Sequence, residues 1–195
     1  MKKIFFIIVS MGVFGLMAAC SNNQGSNDMG DDSFKKDIVY NEKIQDTFYG
    51  VSFGASAQEV INSFVKQDFC PDEGCSTSQF IFGKYQSETF YFGGMSWNRV
   101  VVKFNNDCFG LISFLHAFYE ESQAIAFFET LLSSITSKYQ MSQVFSENAI
   151  KYIGLSNDGH WVIVQCDAAD ERTKVVSLWY GDDRYYGIEF GVDQL

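Results

Sequence analysis

The chain has 195 residues, 47% of them hydrophobic and 17% aromatic, and a formal net charge of −10 at pH 7. That much apolar material in a chain of this length forms one packed domain, not a disordered chain. The acidic balance offers phosphate backbones nothing to neutralise, so nucleic acid is not an expected partner.

Lys2 and Lys3 open the chain with positive charge, Ile4 to Leu16 is an uncharged apolar run, and the small residues Ala18 and Ala19 precede Cys20. This is the three-part layout of a cleaved secretory signal. The apolar run falls short of the ~20 residues that a membrane-spanning helix needs. The segment Leu16-Met17-Ala18-Ala19-Cys20 resembles the lipobox of bacterial lipoproteins, with Met17 where that family usually carries leucine. The resemblance implies removal of residues 1–19, a diacylglycerol on the Cys20 sulfur and acylation of the Cys20 amine by a palmitate-like chain. Two or more acyl chains anchor a protein stably where one is marginal. The expected address is therefore the cell envelope, with the membrane held through Cys20. Ser21 follows Cys20 where an aspartate would stand in the enterobacterial retention signal, and that resemblance favours the outer membrane over the inner.

Residues 21–33 read SNNQGSNDMGDDS. Such a stretch cannot bury enough apolar area to offset its chain entropy, so residues 20–42 are expected to be a flexible tether and 43–195 a single domain. Once Lys2 and Lys3 leave with the signal, 12 basic residues face 24 acidic ones.

Within the domain, Phe48–Phe53 reads as a short strand. Ser56 and Glu59 form a capping box, and Val60, Ile61, Phe64 and Val65 recur at helical spacing, which predicts a helix over 56–68. Strands follow at 79–85, 88–92, 97–104 and 111–119. In 97–104, Val100, Val102 and Phe104 share one face while Arg99 and Lys103 share the other; 111–119 is apolar on both faces, as a central strand is. Glu120 and Glu121 start a second helix whose stripe is Ile125, Phe128, Leu132, Ile135 and Tyr139. Asn157-Asp158-Gly159 signals a hairpin between strands at 149–155 and 160–166. Another strand covers 174–180, a turn falls at Gly181-Asp182-Asp183, and 185–192 is expected to add a last short strand. The fold class is α+β: an antiparallel sheet with two helices packed on one face.

Several of these pieces resemble those of uncharacterised lipoproteins from Bacteroidetes: residues 48–54 (FYGVSFG), 92–97 (FGGMSW), Lys138-Tyr139, 178–182 (LWYGD) and 193–195 (DQL). The helix-then-sheet layout is similar to the beta-lactamase-inhibitor-protein-like modules of envelope lipoproteins. The resemblance implies a binding or assembly unit rather than an enzyme, and carries over no site residue.

Beyond Cys20 lie four cysteines, Cys70, Cys75, Cys108 and Cys166. An even count in an exported domain allows two disulfides in any of three pairings. A local Cys70–Cys75 bridge suits the turn residues between those two. Their spacing fits neither a zinc site nor a redox motif, so no metal or cofactor is expected. Catalytic signatures are missing as well. His116 shares strand parity with Ile112, Phe114 and Phe118 and reads as a satisfied core residue; an envelope hydrolase built on it would need a nucleophile beside it. His160 follows a turn and is expected to be exposed. The acidic pairs Glu120-Glu121, Asp170-Glu171 and Asp182-Asp183 read as solvated turns and helix starts, without a calcium-loop pattern. The positive hint is aromatic: Trp97, Trp161 and Trp179, with Tyr180, Tyr185 and Tyr186 nearby, form either core or a shared binding surface. The expected function is a non-catalytic envelope lipoprotein that binds another envelope protein. The alternative is a glycan-binding or glycan-processing accessory.

Overall fold

The computed structural model describes residues 39–71, 76, 78–84, 89–145, 149–168 and 172–188. The chain divides into two units, Met1–Asp37 and Ile38–Leu195, and every described residue belongs to the second. The signal, Cys20 and most of the tether thus lie outside the described residues.

The elements run β1 (Thr47–Phe48), β2 (Val51–Ser52), α1 (Ala57–Lys66), β3 (Phe69–Pro71), β4 (Gln79–Lys84), β5 (Phe90–Phe92), β6 (Met95–Trp97), β7 (Arg99–Asn105), β8 (Cys108–Phe118), α2 (Glu121–Thr136), β9 (Ser142–Phe145), β10 (Ala149–Leu155), β11 (His160–Ala168) and β12 (Lys174–Asp182). Eight strands form one sheet in the order β3-β4-β7-β8-β12-β11-β10-β9, with every neighbouring pair antiparallel. The fold is α+β, as the sequence predicts. Two tight hairpins, β1–β2 and β5–β6, stand outside the sheet.

Local chemistry explains the turns. The β7–β8 turn places Asn106 and Asp107 at φ 50° and 64°. Two successive positive φ values match the twist of a two-residue hairpin, and Asn and Asp tolerate them better than other side chains. Tyr49 and Gly50 make the same kind of turn, at φ 50° and 85°. Ser56 caps α1 as expected: its hydroxyl accepts from the Glu59 amide at 3.4 Å, and its own amide donates to Glu59 Oε2 at 2.9 Å.

Both helices cover the same face of the sheet. Val60 and Phe64 of α1, and Ala124, Phe128, Leu131 and Ile135 of α2, pack with Val100, Val102, Ile112, Phe114, Val162, Val164, Val176, Leu178 and Tyr180 in one core. Phe48 is central to it, with ring centroids 5.0 to 6.5 Å from Phe53, Phe92, Phe109, Phe114 and Tyr180. Each such ring contributes about 1.5–3 kcal/mol by leaving water.

Five expectations need correction. Phe48–Phe53 is not one strand: the chain reverses at Tyr49 and Gly50, whose positive φ values close the β1–β2 hairpin. The α2 stripe is turned by one residue: Ala124 and Leu131 are buried, whereas Ile125 is 41% exposed. Asn41, expected in the flexible tether, is buried and pinned: its side chain donates to the Gln140 and Leu155 carbonyls and accepts from the Gln140 amide. The short edge strands β3 and β9 were not anticipated. Finally, residues 185–188 form no strand. They close a turn in which the Tyr185 and Tyr186 amides donate to the Asp182 carbonyl, and residues 189–192 lie outside the described ones.

Candidate functional site

The second face of the sheet carries no helix residue, and its buried cluster comprises Leu111, Val144, Ile153, Trp161 and Ile163. Strand register lays this face out in rows. One row runs Lys103, Leu111, Gly181, Trp161, Leu155; the next Val101, Ser113, Trp179, Ile163, Ile153; the next Arg99, Leu115, Ser177, Gln165, Lys151. The first row is closed over by the C-terminal turn. Trp161 lies flat across Gly181, where a Cβ would meet its ring at 2.1 Å, and its indole N–H donates to the Tyr186 carbonyl at 3.1 Å. The glycine is needed there because no other residue leaves room for the indole.

Away from that turn the face opens. Val101, Leu115, Val175 and Trp179 are half-buried and Ala117 is exposed. Trp179 is held flat by its N–H donating to Ser177 Oγ at 2.7 Å. Polar groups gather on one side: Gln165 donates to Asp167, and Lys151 stands near the same carboxylate. Burial raises the Asp167 carboxyl and lowers the Lys151 ammonium from their ordinary values. An apolar centre of half-exposed side chains with a paired polar margin is the anatomy of a protein-binding patch.

The three tryptophans do not form one surface. Trp97 is 0% exposed and lies in the helix-side core against Phe114 and Phe127. Trp161 is 3% exposed on the opposite face. Only Trp179 keeps accessible area there. Trp97 ends the β5–β6 hairpin, outside the sheet, and packs against Phe127 of α2, while Trp161 and Trp179 share the helix-free face of the sheet.

Neither histidine faces a nucleophile among the described residues. His116 sits with Nδ1 2.7 Å from the Ser96 carbonyl and stacks on Phe118 at 4.4 Å, a satisfied position as predicted. His160, expected to be exposed, is buried. Its Nδ1 is 3.1 Å from Asp158 Oδ2 and its Nε2 is 3.4 Å from Asp182 Oδ2. Asp182 is itself fully buried and takes Arg184 Nε at 2.9 Å and Nη2 at 2.5 Å. Burial opposes charge on Asp182, but the bonds from the Arg184 side chain and amide outweigh it and hold its carboxyl below the ordinary range. The Asp182-Asp183 pair is therefore not a solvated turn at its first residue. Ser156 Oγ bonds the Asp158 carboxylate and the His160 carbonyl and does not meet the imidazole. The group ties the β10–β11 turn to the end of β12.

Asp170-Glu171 and Cys75 lie outside the described residues. Cys70 is exposed with a free thiol, and Cys108 and Cys166 are half-buried. No cluster of His, Cys, Asp and Glu fit for a metal occurs among the described residues, and no described helix is long and apolar enough to cross a membrane. No family model, no curated protein and no solved structure matches the chain.

Proposed function

We propose that this chain is a lipid-anchored envelope protein of non-catalytic function, which holds a protein partner against the helix-free face of its sheet. The single observation that carries the reading is that face: Val101, Leu115, Val175 and Trp179 remain half-exposed on a rigid sheet, beside the paired Gln165, Asp167 and Lys151. The lipobox resemblance around Cys20 supplies the address, with the outer membrane favoured, and the likeness to binding modules of envelope lipoproteins points the same way. The glycan reading asked for a tryptophan groove. With Trp97 and Trp161 buried, partner binding is the better supported of the two.

The test is crosslinking in producing cells, comparing the parent chain with Leu115→Glu and Val175→Glu. Both substitutions sit on the open face, so the fold tolerates the charge while an apolar contact does not. A discrete adduct that both variants lose, with thermal midpoints within a few degrees of the parent, supports the proposal. An adduct unchanged in both variants removes this face from it. Intact mass of the purified protein tests the anchor: loss of residues 1–19 and a mass gain on Cys20 are expected, and an uncleaved leader sinks the address.

A further inference from the structure

After the turn at 185–188 the chain departs from the helix-free face itself. The Ile188 amide donates to the Asp183 carboxyl, and the Ile188 side chain packs on the cluster of Leu111, Val144, Ile153, Trp161 and Ile163. Two residues earlier, the Tyr186 carbonyl takes the Trp161 indole N–H. The next seven residues read Glu189-Phe190-Gly191-Val192-Asp193-Gln194-Leu195. Ile188, Phe190 and Val192 alternate, so an extended segment that seats Ile188 on the sheet turns Phe190 and Val192 the same way. Rows on the face are two residues apart, about 6.6 Å, whereas such a segment spans about 23 Å. It is long enough to pass Trp179, one row beyond Trp161, and reach Leu115 in the row after.

Charge favours the same occupant. In strand register the face carries Arg99, Lys103 and Lys151 against Asp167 among the described residues, in a chain of net charge −10. The segment brings Glu189 and Asp193 and no cation. Lys103 stands near its start, with its ammonium 5.9 Å from the centre of the Tyr186 ring. Burial lowers that ammonium from its ordinary value, and a carboxylate beside it restores the charged form.

We infer that residues 189–195 dock along the helix-free face, with Phe190 and Val192 on the apolar strip of Val101, Leu115 and Trp179 and Glu189 turned to Lys103. A covalently attached segment needs little intrinsic affinity, because its short link supplies an effective concentration of about millimolar. Docked there, it occupies the ground assigned above to a partner, so partner binding requires its release. That consequence rests on the proposed function; the docking does not.

The purified full chain in detergent, carrying p-benzoylphenylalanine in place of Phe190, tests the docking with no partner present. After irradiation and peptide mass spectrometry, the expected product has the mass of one chain and joins position 190 to Val101, Leu115 or Trp179. Leu115→Glu is expected to lose it. Phe190→Ser combined with Val192→Ser, in the unlabelled chain, is expected to increase acrylamide quenching of tryptophan fluorescence. Trp179→Phe should abolish the increase, since Trp97 and Trp161 are 0% and 3% exposed. A product of two chains' mass puts the segment on a second copy and overturns the inference. So do one-chain products that fall elsewhere, no product at all, or unchanged quenching in a folded double variant; the photoproduct decides whether or not that variant folds. In producing cells the double variant is expected to strengthen the adduct that Leu115→Glu loses. An adduct it leaves unchanged overturns the regulation and keeps the partner. Docking in the purified chain with no adduct in cells removes the partner and keeps the docking.

Discussion

Asn41 has an influence out of proportion to its place before the first strand. Its side chain makes three bonds, at 3.1, 3.0 and 2.7 Å, to backbone groups of Gln140 and Leu155, and its amide donates to Leu155 at 2.7 Å. Those partners are the exit of α2 and the end of β10. Asn41→Ala leaves backbone groups unpaired in a buried site, at about 1–3 kcal/mol apiece, so a loss of about 2–4 kcal/mol is expected in urea denaturation. Asn41→Asp loses both side-chain donors and should recover little of it. Nothing in the sequence announces this role. An asparagine in a polar stretch looks like tether, and its partners are 99 and 114 residues away.

The Asp158–His160–Asp182–Arg184 group makes a prediction about acid. Asp158 is held below the ordinary carboxylate range chiefly by the Ser156 hydroxyl, with His160 adding to it; Asp182 is lowered by Arg184 against the effect of burial. A carboxyl depressed in the folded state binds fewer protons there than in the unfolded chain. Its contribution is therefore complete above the unfolded value of about 4 and is lost as pH falls through the lower folded values. The thermal midpoint should drop steeply below pH 4 in the parent chain. In Asp182→Asn the drop should be shallower, from a lower plateau at neutral pH. Parallel profiles in the two proteins would show that Asp182 carries none of the acid limb. His160 was misread because a residue after Asp-Gly is usually solvated; here the end of β12 folds over it.

Among the elements, those with local signals were legible and those defined by distant partners were not. The capping box fixed α1 and alternation fixed β7. Helix α2 was found, yet its buried side was displaced by one residue. It is apolar around much of its circumference, so the stripes through Ile125 and Leu132 and through Ala124 and Leu131 fit the sequence equally well. Only the sheet beneath selects between them. The two stripes give opposite expectations for paired variants. Ile125→Glu, at 41% exposure, should change stability by no more than about 0.5 kcal/mol. Leu131→Ala, at 2% exposure, should cost about 2–5 kcal/mol. A large loss in Ile125→Glu would restore the stripe read from the sequence. The tryptophans part for a different reason: Trp97 belongs to a hairpin outside the sheet, and alternation in a short segment does not tell such a hairpin from a strand of the sheet. The edge strands β3 and β9 are short and carry little pattern of their own; β4 and β10 recruit them by offering open ladders.

At the scale of the whole molecule, the sheet limits what the cysteines can do. Cys166 pairs with Val176, and Val176 with His116, so Cys166 stands level with His116. Cys108 begins the same strand β8 eight residues earlier, about 26 Å along it at a rise of ~3.3 Å per residue. Cys70 pairs with Gly83, beside Phe82, which is linked through Val100 to Phe114. It is thus about seven residues' rise, or roughly 23 Å, from the level of Cys108, and about five strand spacings, or roughly 24 Å, from Cys166. A disulfide requires Cα atoms within about 7 Å. Each of the three ways to pair four cysteines places at least one bridge between two of Cys70, Cys108 and Cys166. Two bridges therefore cannot coexist in this fold, although the count of four suggests them. At most one bridge is compatible with this register, and the Cys70, Cys108 and Cys166 thiols are free in it. When the purified monomer is unfolded without reductant and alkylated, at least two of the four domain cysteines should take up label in every chain. A monomer with all four blocked would mean that β8, β11 and β3 do not share the sheet in this register, and the helix-free face, whose rows depend on that register, would fall with them.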